Sequence, residues 1–297
     1  MSKSSLPQRM KNYAKLLGLG LIPLIVTIVV TLNYMDYRVI FLATGGALFL
    51  LSYVQSKREV GIVWKTLLIS LPLLAFHTIL FIHQSLEVRA LIPIYLIITL
   101  IPIYVLIAYL GSISSTMFLG RIILVLLIGS TTTALIIPSV VREQLNEYYN
   151  EPAQSFELVN PITSELITNQ TLEGKVNVIS FFGTWCKPCV EEINELKHIH
   201  EHLKTESNEI AFMIVCTDKG GDTPDKAIDF YEQIDLPFTL AYDTYSETYK
   251  KYINSGVHPS LIIIDKKGNL RLKHEGYARS ENLKNTLIPL ITRMSQE

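Results

Sequence analysis

Phe181-Phe182-Gly183-Thr184-Trp185-Cys186-Lys187-Pro188-Cys189 decides the reading of this chain. The apolar run before it, residues 176–180, reads as a buried strand. The stretch after it, Val190-Glu191-Glu192-Ile193-Asn194-Glu195-Leu196, reads as the first turns of a helix. A Cys-x-x-Cys pair therefore sits where a strand ends and a helix begins. The free N–H groups and positive dipole end of a helix stabilise an anion. A thiolate at Cys186 is favoured there, and the thiolate is the reactive form. Cys189, one helical turn on, is placed to attack a mixed disulfide formed at Cys186. Pro188 falls in the first turn, where a missing N–H costs nothing.

A Cys-x-x-Cys is also half of many zinc sites, which take four ligands. The remaining cysteine, Cys216, ends an apolar run that reads as a buried strand, and suits a buried, inert thiol. His198 and His202 stand at i and i+4 on the expected helix, with His200 between them. No cysteine or carboxylate completes a site from sequence, so a solvated face is the simpler reading. The expectation is a redox pair, with no metal and no cofactor.

The apolar residues crowd into the first half of the 297-residue chain and the charges into the second. Residues 1–155 carry eleven Lys and Arg against six Asp and Glu, and residues 156–297 carry 15 against 21. No basic patch suggests a nucleic-acid partner. Five apolar stretches, at 14–32, 37–54, 62–82, 90–110 and 118–137, approach the roughly 20 residues a membrane crossing needs. The second is the weakest, being short and carrying Gly45-Gly46. Lys65 and Arg121 lie near segment ends, where long side chains reach headgroups. Pro72, Pro93 and Pro102 read as kinks.

Lys3, Arg9 and Lys11 precede the first segment, and Lys15 stands at its start. Lys57, Arg58 and Lys65 flank the second gap, Arg121 borders the fourth, and the other gaps hold Arg38 and Arg89. That alternation fits five spans with a cytoplasmic N-terminus, which places the C-terminal half outside the cytoplasm. If the second segment does not span, the parity changes. The spans contain no cysteine, so electrons passed by thiols must come from a separate cysteine-bearing membrane protein. His77 and His83 are candidates for a haem or quinone role. Six apart, they do not share a helix face, and packing is the simpler reading.

The sequence thus divides into an all-α transmembrane bundle at 1–138, a linker at 139–155 and an α/β domain at 156–297. Residues 141–149 are polar and suited to extend the fifth helix. The α/β half begins with two short strands around Asn160-Pro161 and a helical turn ended by Gly174. A strand at 176–182, the Cys-x-x-Cys helix to about 204, and a strand at 209–216 follow. Thr223-Pro224 opens a helix that ends near 234. A strand at 237–242, a helix at 246–252, a hairpin around Lys266-Lys267-Gly268-Asn269 and a closing helix from 280 complete the chain.

With Phe182-Gly183-Thr184-Trp185-Cys186-Lys187-Pro188-Cys189, Glu192, and the second motif Val257-His258-Pro259-Ser260 before an apolar strand, this half resembles a thioredoxin fold. It is most similar to membrane-tethered thiol–disulfide oxidoreductases of the TlpA and ResA type. Members of that family usually have a single anchor, so five spans are a departure. The resemblance implies that Cys186 attacks, Cys189 resolves and Pro259 is a cis-proline facing the pair, its backbone edge open to an extended substrate. Trp185 would flank the sulfurs; its other reading is a core aromatic at a strand end. Glu192 would relay the proton leaving Cys189, in place of the titrating group that thioredoxins carry where Ser180 stands; its other reading is a solvated helix glutamate. His258 departs from the small residues expected before the proline: protonated, it would stabilise a thiolate; otherwise it is a passive, solvent-facing ring.

The function expected is reduction of protein disulfides outside the cytoplasm by an enzyme anchored in a bacterial cytoplasmic membrane, apocytochrome thiols before haem attachment being one substrate class. An oxidase or isomerase is the alternative within the same chemistry. A membrane sensor that binds a ligand, with the thiol domain as its redox switch, is the alternative outside it. The peroxiredoxin pattern Pro-x-x-x-Thr-x-x-Cys is absent.

Overall fold

All seven residues of Val176–Phe182 are buried, because this strand, β4, lies at the centre of the sheet with a layer on each face. Side chains alternate across a strand. Val178 and Phe182 enter one core, with Ile193, Leu196, Ile214 and Leu287. Ile179 and Phe181 enter the other, with Met213, Val215, Tyr249 and Tyr252. Each such buried aliphatic or aromatic side chain contributes about 1.5–3 kcal/mol. In this computed structural model the residues described are 6–34, 36–54, 61–84, 118–204, 209–253 and 255–297.

The sheet has eight strands in the order β1-β8-β7-β4-β5-β6-β2-β3. They are β1 Asn146–Pro152, β2 Glu157–Val159, β3 Leu166–Thr168, β4, β5 Ile210–Thr217, β6 Thr239–Asp243, β7 Ser260–Ile264 and β8 Asn269–Glu275. β4 pairs parallel with β5 and antiparallel with β7. The helix after the cysteines, Lys187–Leu203, has a buried stripe at Cys189, Glu192, Ile193, Leu196, Ile199 and Leu203, the spacing of one helix face. On the same side of the sheet lie Pro224–Ile234, capped by Thr223, whose hydroxyl accepts from the Lys226 N–H at 3.3 Å, and Leu283–Gln296. Glu247–Tyr252 covers the opposite face.

Two compact units divide the chain: Met1–Val141 with Ala278–Glu281, and Arg142–Tyr277 with Asn282–Glu297. The linker expected at 139–155 is corrected. Its first residues complete a helix, Ile137–Leu145, and 146–152 form β1, paired antiparallel with β8 through Asn146↔His274 and Tyr148↔Leu272. β1 lies at a sheet edge, and its exposed outer positions leave it looking like a polar connection.

In the first unit, α1 Leu6–Leu19 and α2 Leu21–Tyr34 flank Gly20. A Cβ there would meet the Ile69 carbonyl at 2.5 Å, so glycine permits the close approach of Ile62–Gln84. The Thr27 and Thr44 hydroxyls lie 2.7 Å apart, joining α2 to α3, Tyr37–Val54. Leu16, Leu48, Ile69 and Leu73 form the small core. Among the described residues, Leu6–Tyr34 is the helical stretch long and apolar enough to cross a membrane. Tyr37–Leu51 and Val63–Phe76 are shorter apolar helices. The expected segment at 90–110 lies outside the described residues, and the fifth appears as Phe118–Thr131 continuing through a π-helical turn, Thr132–Ile136. Pro72 lies inside its helix. Lys65, expected to reach outward, is instead buried at 1 % exposure.

Candidate active site

Cys186 and Cys189 are joined in a disulfide. Cys186 caps the helix: the Cys189 N–H donates to its Sγ at 3.2 Å, and its own N–H donates to the Gly183 carbonyl at 3.0 Å. Its sulfur thus sits against the free N–H end of the helix, where negative charge is stabilised. Cys186 keeps 3 % exposure and Cys189 none, so an attack from outside can reach only Cys186.

Beneath the disulfide, on the same face of the helix as Cys189, Glu192 is fully buried. The Ser180 hydroxyl donates to its Oε1 at 2.8 Å. His274 Nε2 lies 3.9 Å from its Oε2. The strand register aligns these groups: Ser180 pairs with Leu261, Leu261 with His274, and His274 with Asn146. Directly opposed residues share a face. Glu192 is therefore not a solvated helix glutamate. Its signal was in the sequence: Cys189, Glu192, Ile193 and Leu196 follow an i, i+3, i+4, i+7 stripe. His274 was missed, although it stands two residues after Leu272, on the same face of β8.

Above the disulfide, Trp185 is 55 % exposed, which excludes a core role. Its Nε1 donates to the Lys219 carbonyl at 2.9 Å. A Cβ on Gly183 would meet the indole at 2.8 Å, and Gly220, at φ 71°, lies beneath the ring as well. Asp222, also missed, is buried and accepts from the Thr184 N–H at 2.7 Å and from its hydroxyl at 2.6 Å, fixing the turn before the cysteines. Cys216 lies 3.7 Å from the same carboxylate; burial, helped by Asp222, raises its pKa, so it stays a thiol.

The His258–Pro259 peptide is cis. It precedes Ser260, which pairs with Phe181 at the end of β4 that carries the cysteines. The expectation of a protonated His258 is corrected. Burial, reinforced by Lys219, pushes its pKa down to about 4. Its Nε2 and the Thr217 hydroxyl are 2.9 Å apart, and its ring stacks on Tyr249 at 4.5 Å. A neutral, packed ring is neither a cation for the thiolate nor a passive surface group. His198 is exposed and pairs with Glu201 at 3.4 Å, while His200 packs edge-on against Phe212 and Phe238.

Residues 149–273 match the model of the AhpC/TSA family. Thiol-disulfide oxidoreductase ResA of Bacillus thuringiensis subsp. konkukian is 30 % identical over 133 residues, covering 44 % of this chain and 72 % of the relative. The chain belongs to the ResA family of thiol–disulfide oxidoreductases. ResA of Geobacillus kaustophilus is 28 % identical over 114 residues, covering 38 % of this chain and 62 % of its own. A solved structure titled as a putative thiol:disulfide interchange protein DsbE, from Chlorobium tepidum, aligns over 49 % of this chain and 98 % of its own, at 21 % identity and a TM-score of 0.42. As a ResA-type thiol–disulfide oxidoreductase, this protein carries its family likeness in the thioredoxin-like half alone.

Proposed function

We propose that the enzyme reduces disulfides of extracytoplasmic proteins through Cys186 and Cys189, from an anchor in a bacterial cytoplasmic membrane. The observation that carries the reading is the capped geometry of Cys186 above a buried, hydrogen-bonded Glu192. In the reduced enzyme the Cys186 thiolate attacks a substrate disulfide, forming a mixed disulfide and releasing one substrate thiolate. Cys189 gives its proton to Glu192 and attacks Cys186. The mixed disulfide breaks, and the second substrate sulfur leaves as a thiolate that is then protonated. The substrate gains two electrons and the enzyme becomes the Cys186–Cys189 disulfide.

Pro259 and the backbone before it offer an edge for an extended substrate segment. Trp185 and the neutral His258, with ring centroids 5.8 Å apart, flank that approach. The cysteine disulfide of an apocytochrome, reduced to thiols before haem attachment, is the substrate class that the family resemblance suggests. A cysteine-bearing membrane protein resets the dithiol, because the apolar segments of this chain have no cysteine.

The domain plan proposed is a helical membrane domain followed by the thioredoxin-like domain. Five crossings are supported by the alternation of basic residues and by outward-facing Ile25, Val29, Leu32, Leu50, Leu126 and Leu135, all largely exposed. The decisive experiment is a trap. Cys189→Ser, expressed in the native membrane, accumulates mixed disulfides through Cys186 that mass spectrometry identifies. A variant that traps only cytosolic proteins, or none, defeats the proposal.

A further inference from the structure

The site holds a second buried titratable group that the steps above do not use. His274, on β8, is fully buried and faces Glu192 across 3.9 Å. Its tautomer follows from its contact with Asn146. The Asn146 side-chain NH₂ donates to the Arg142 carbonyl at 2.8 Å, which turns the amide oxygen towards His274. That oxygen lies 3.2 Å from Nδ1. An amide oxygen only accepts, so Nδ1 carries a hydrogen and Nε2 is the nitrogen that faces Glu192. Asn146 sits on the edge strand that the sequence concealed, so β1 is what holds the ring in place.

An isolated buried charge is costly, whereas a pair can be both neutral or both charged. Nε2 and Oε2 stand at ion-pair rather than hydrogen-bond distance, so a proton on Nε2 makes Glu192 and His274 a buried pair of opposite charges. Ser180 donates to the other carboxylate oxygen, Oε1. Cys189 lies one helical turn away on the same face as Glu192.

We propose that His274 is the positioning residue of the resolving step: with a proton on the Nε2 that faces Oε2, it keeps Glu192 an ionised acceptor for the proton of Cys189. This rests on the reading of Glu192 as that acceptor. When Cys189 gives up its proton, the pair holds two protons and one positive charge, opposite the new thiolate. The thiolate attacks Cys186, the Cys186–substrate bond breaks, and the second proton passes to the departing substrate sulfur. Charge and protons balance without a further reagent. Without His274, burial favours the neutral form of this carboxyl, which is the form that cannot accept.

The test uses the full chain in detergent micelles, with glutathione as the probe. Reduced protein is mixed with glutathione disulfide, and release of glutathione from the Cys186 mixed disulfide is followed by stopped flow from pH 5 to pH 9. His274→Gln is expected to move the pH profile up by at least one unit, about tenfold slower on the rising limb. Glu192→Gln is expected to shift it as well, and the double variant no further. A His274→Gln profile superimposable on wild type, with Glu192→Gln shifted, overturns this inference and leaves Glu192 its role. Unshifted profiles for both overturn the two readings together. Should the variants not fold, histidine ¹⁵N spectra of the wild type decide. Nδ1 must stay protonated throughout, and Nε2 must change protonation between the oxidised and reduced enzyme; a deprotonated Nδ1 overturns the proposal.

Discussion

The indole N–H of Trp185 donates to the Lys219 carbonyl at 2.9 Å, tying the residue before Cys186 to the loop after β5. Gly220 in that loop has φ 71°, and a Cβ there would meet the indole Cδ1 at 2.5 Å. Gly220→Val forces the ring off its seat and strains the backbone by about 1–2 kcal/mol. With the flank of the sulfurs displaced, kcat/KM for a protein disulfide is expected to fall about tenfold, with the reduction potential unchanged. A tenfold change equals about 1.4 kcal/mol of transition-state binding, a modest share for one large contact surface. Steady-state kinetics beside a redox titration measure both quantities.

His258 makes the fold sensitive to acid. Its pKa is pushed down to about 4 in the folded protein, against about 6.5 when unfolded. The unfolded chain therefore binds the extra proton first. The stabilisation is complete above about pH 6.5 and is lost as pH falls towards 4. For a half-buried ring this is on the order of 2 kcal/mol. His258→Thr should lose less thermal stability than wild type between pH 6.5 and 4. Scanning calorimetry at matched pH values checks the difference, and equal losses in the two proteins would deny His258 this part.

The parts of the domain that could be read beforehand are those where one residue's environment dominates. β4 is buried along its whole length, so an unbroken apolar run announced it. Pro188 and the Thr223-Pro224 pair marked helix starts because N-terminal turns favour proline and a capping hydroxyl. β1 was hidden because Glu147, Tyr148, Asn150 and Glu151 face solvent, and its pairing with β8 is made by backbone. Glu192 was legible as a candidate, since it falls in the buried stripe of its helix. His274 and Asp222 were not: each meets its partner only through the folded sheet, Glu192 from 82 residues away and Thr184 from 38. The charge of His258 was misread because desolvation by Tyr249 and its neighbours is a tertiary effect.

The orientation in the membrane gives a separate expectation. The odd number of crossings and cytoplasmic N-terminus proposed above would place Cys186 away from the cytoplasm. In spheroplasts treated with a reductant, a thiol reagent that cannot cross membranes should modify Cys186 as fully as it does after detergent lysis. Labelling confined to the lysed sample would place the domain in the cytoplasm and leave the proposed substrates out of reach.

Disulfide reduction by purified full-length protein, compared with Cys186→Ser under the same external reductant, bears most directly on the chemistry assigned to this chain. The account predicts rapid insulin reduction by the wild type and loss of at least about a thousandfold in the variant, because no other described sulfur can open a disulfide from solution: Cys189 is fully buried and burial keeps Cys216 protonated. Insulin reduction by Cys186→Ser at a rate near wild type would contradict it.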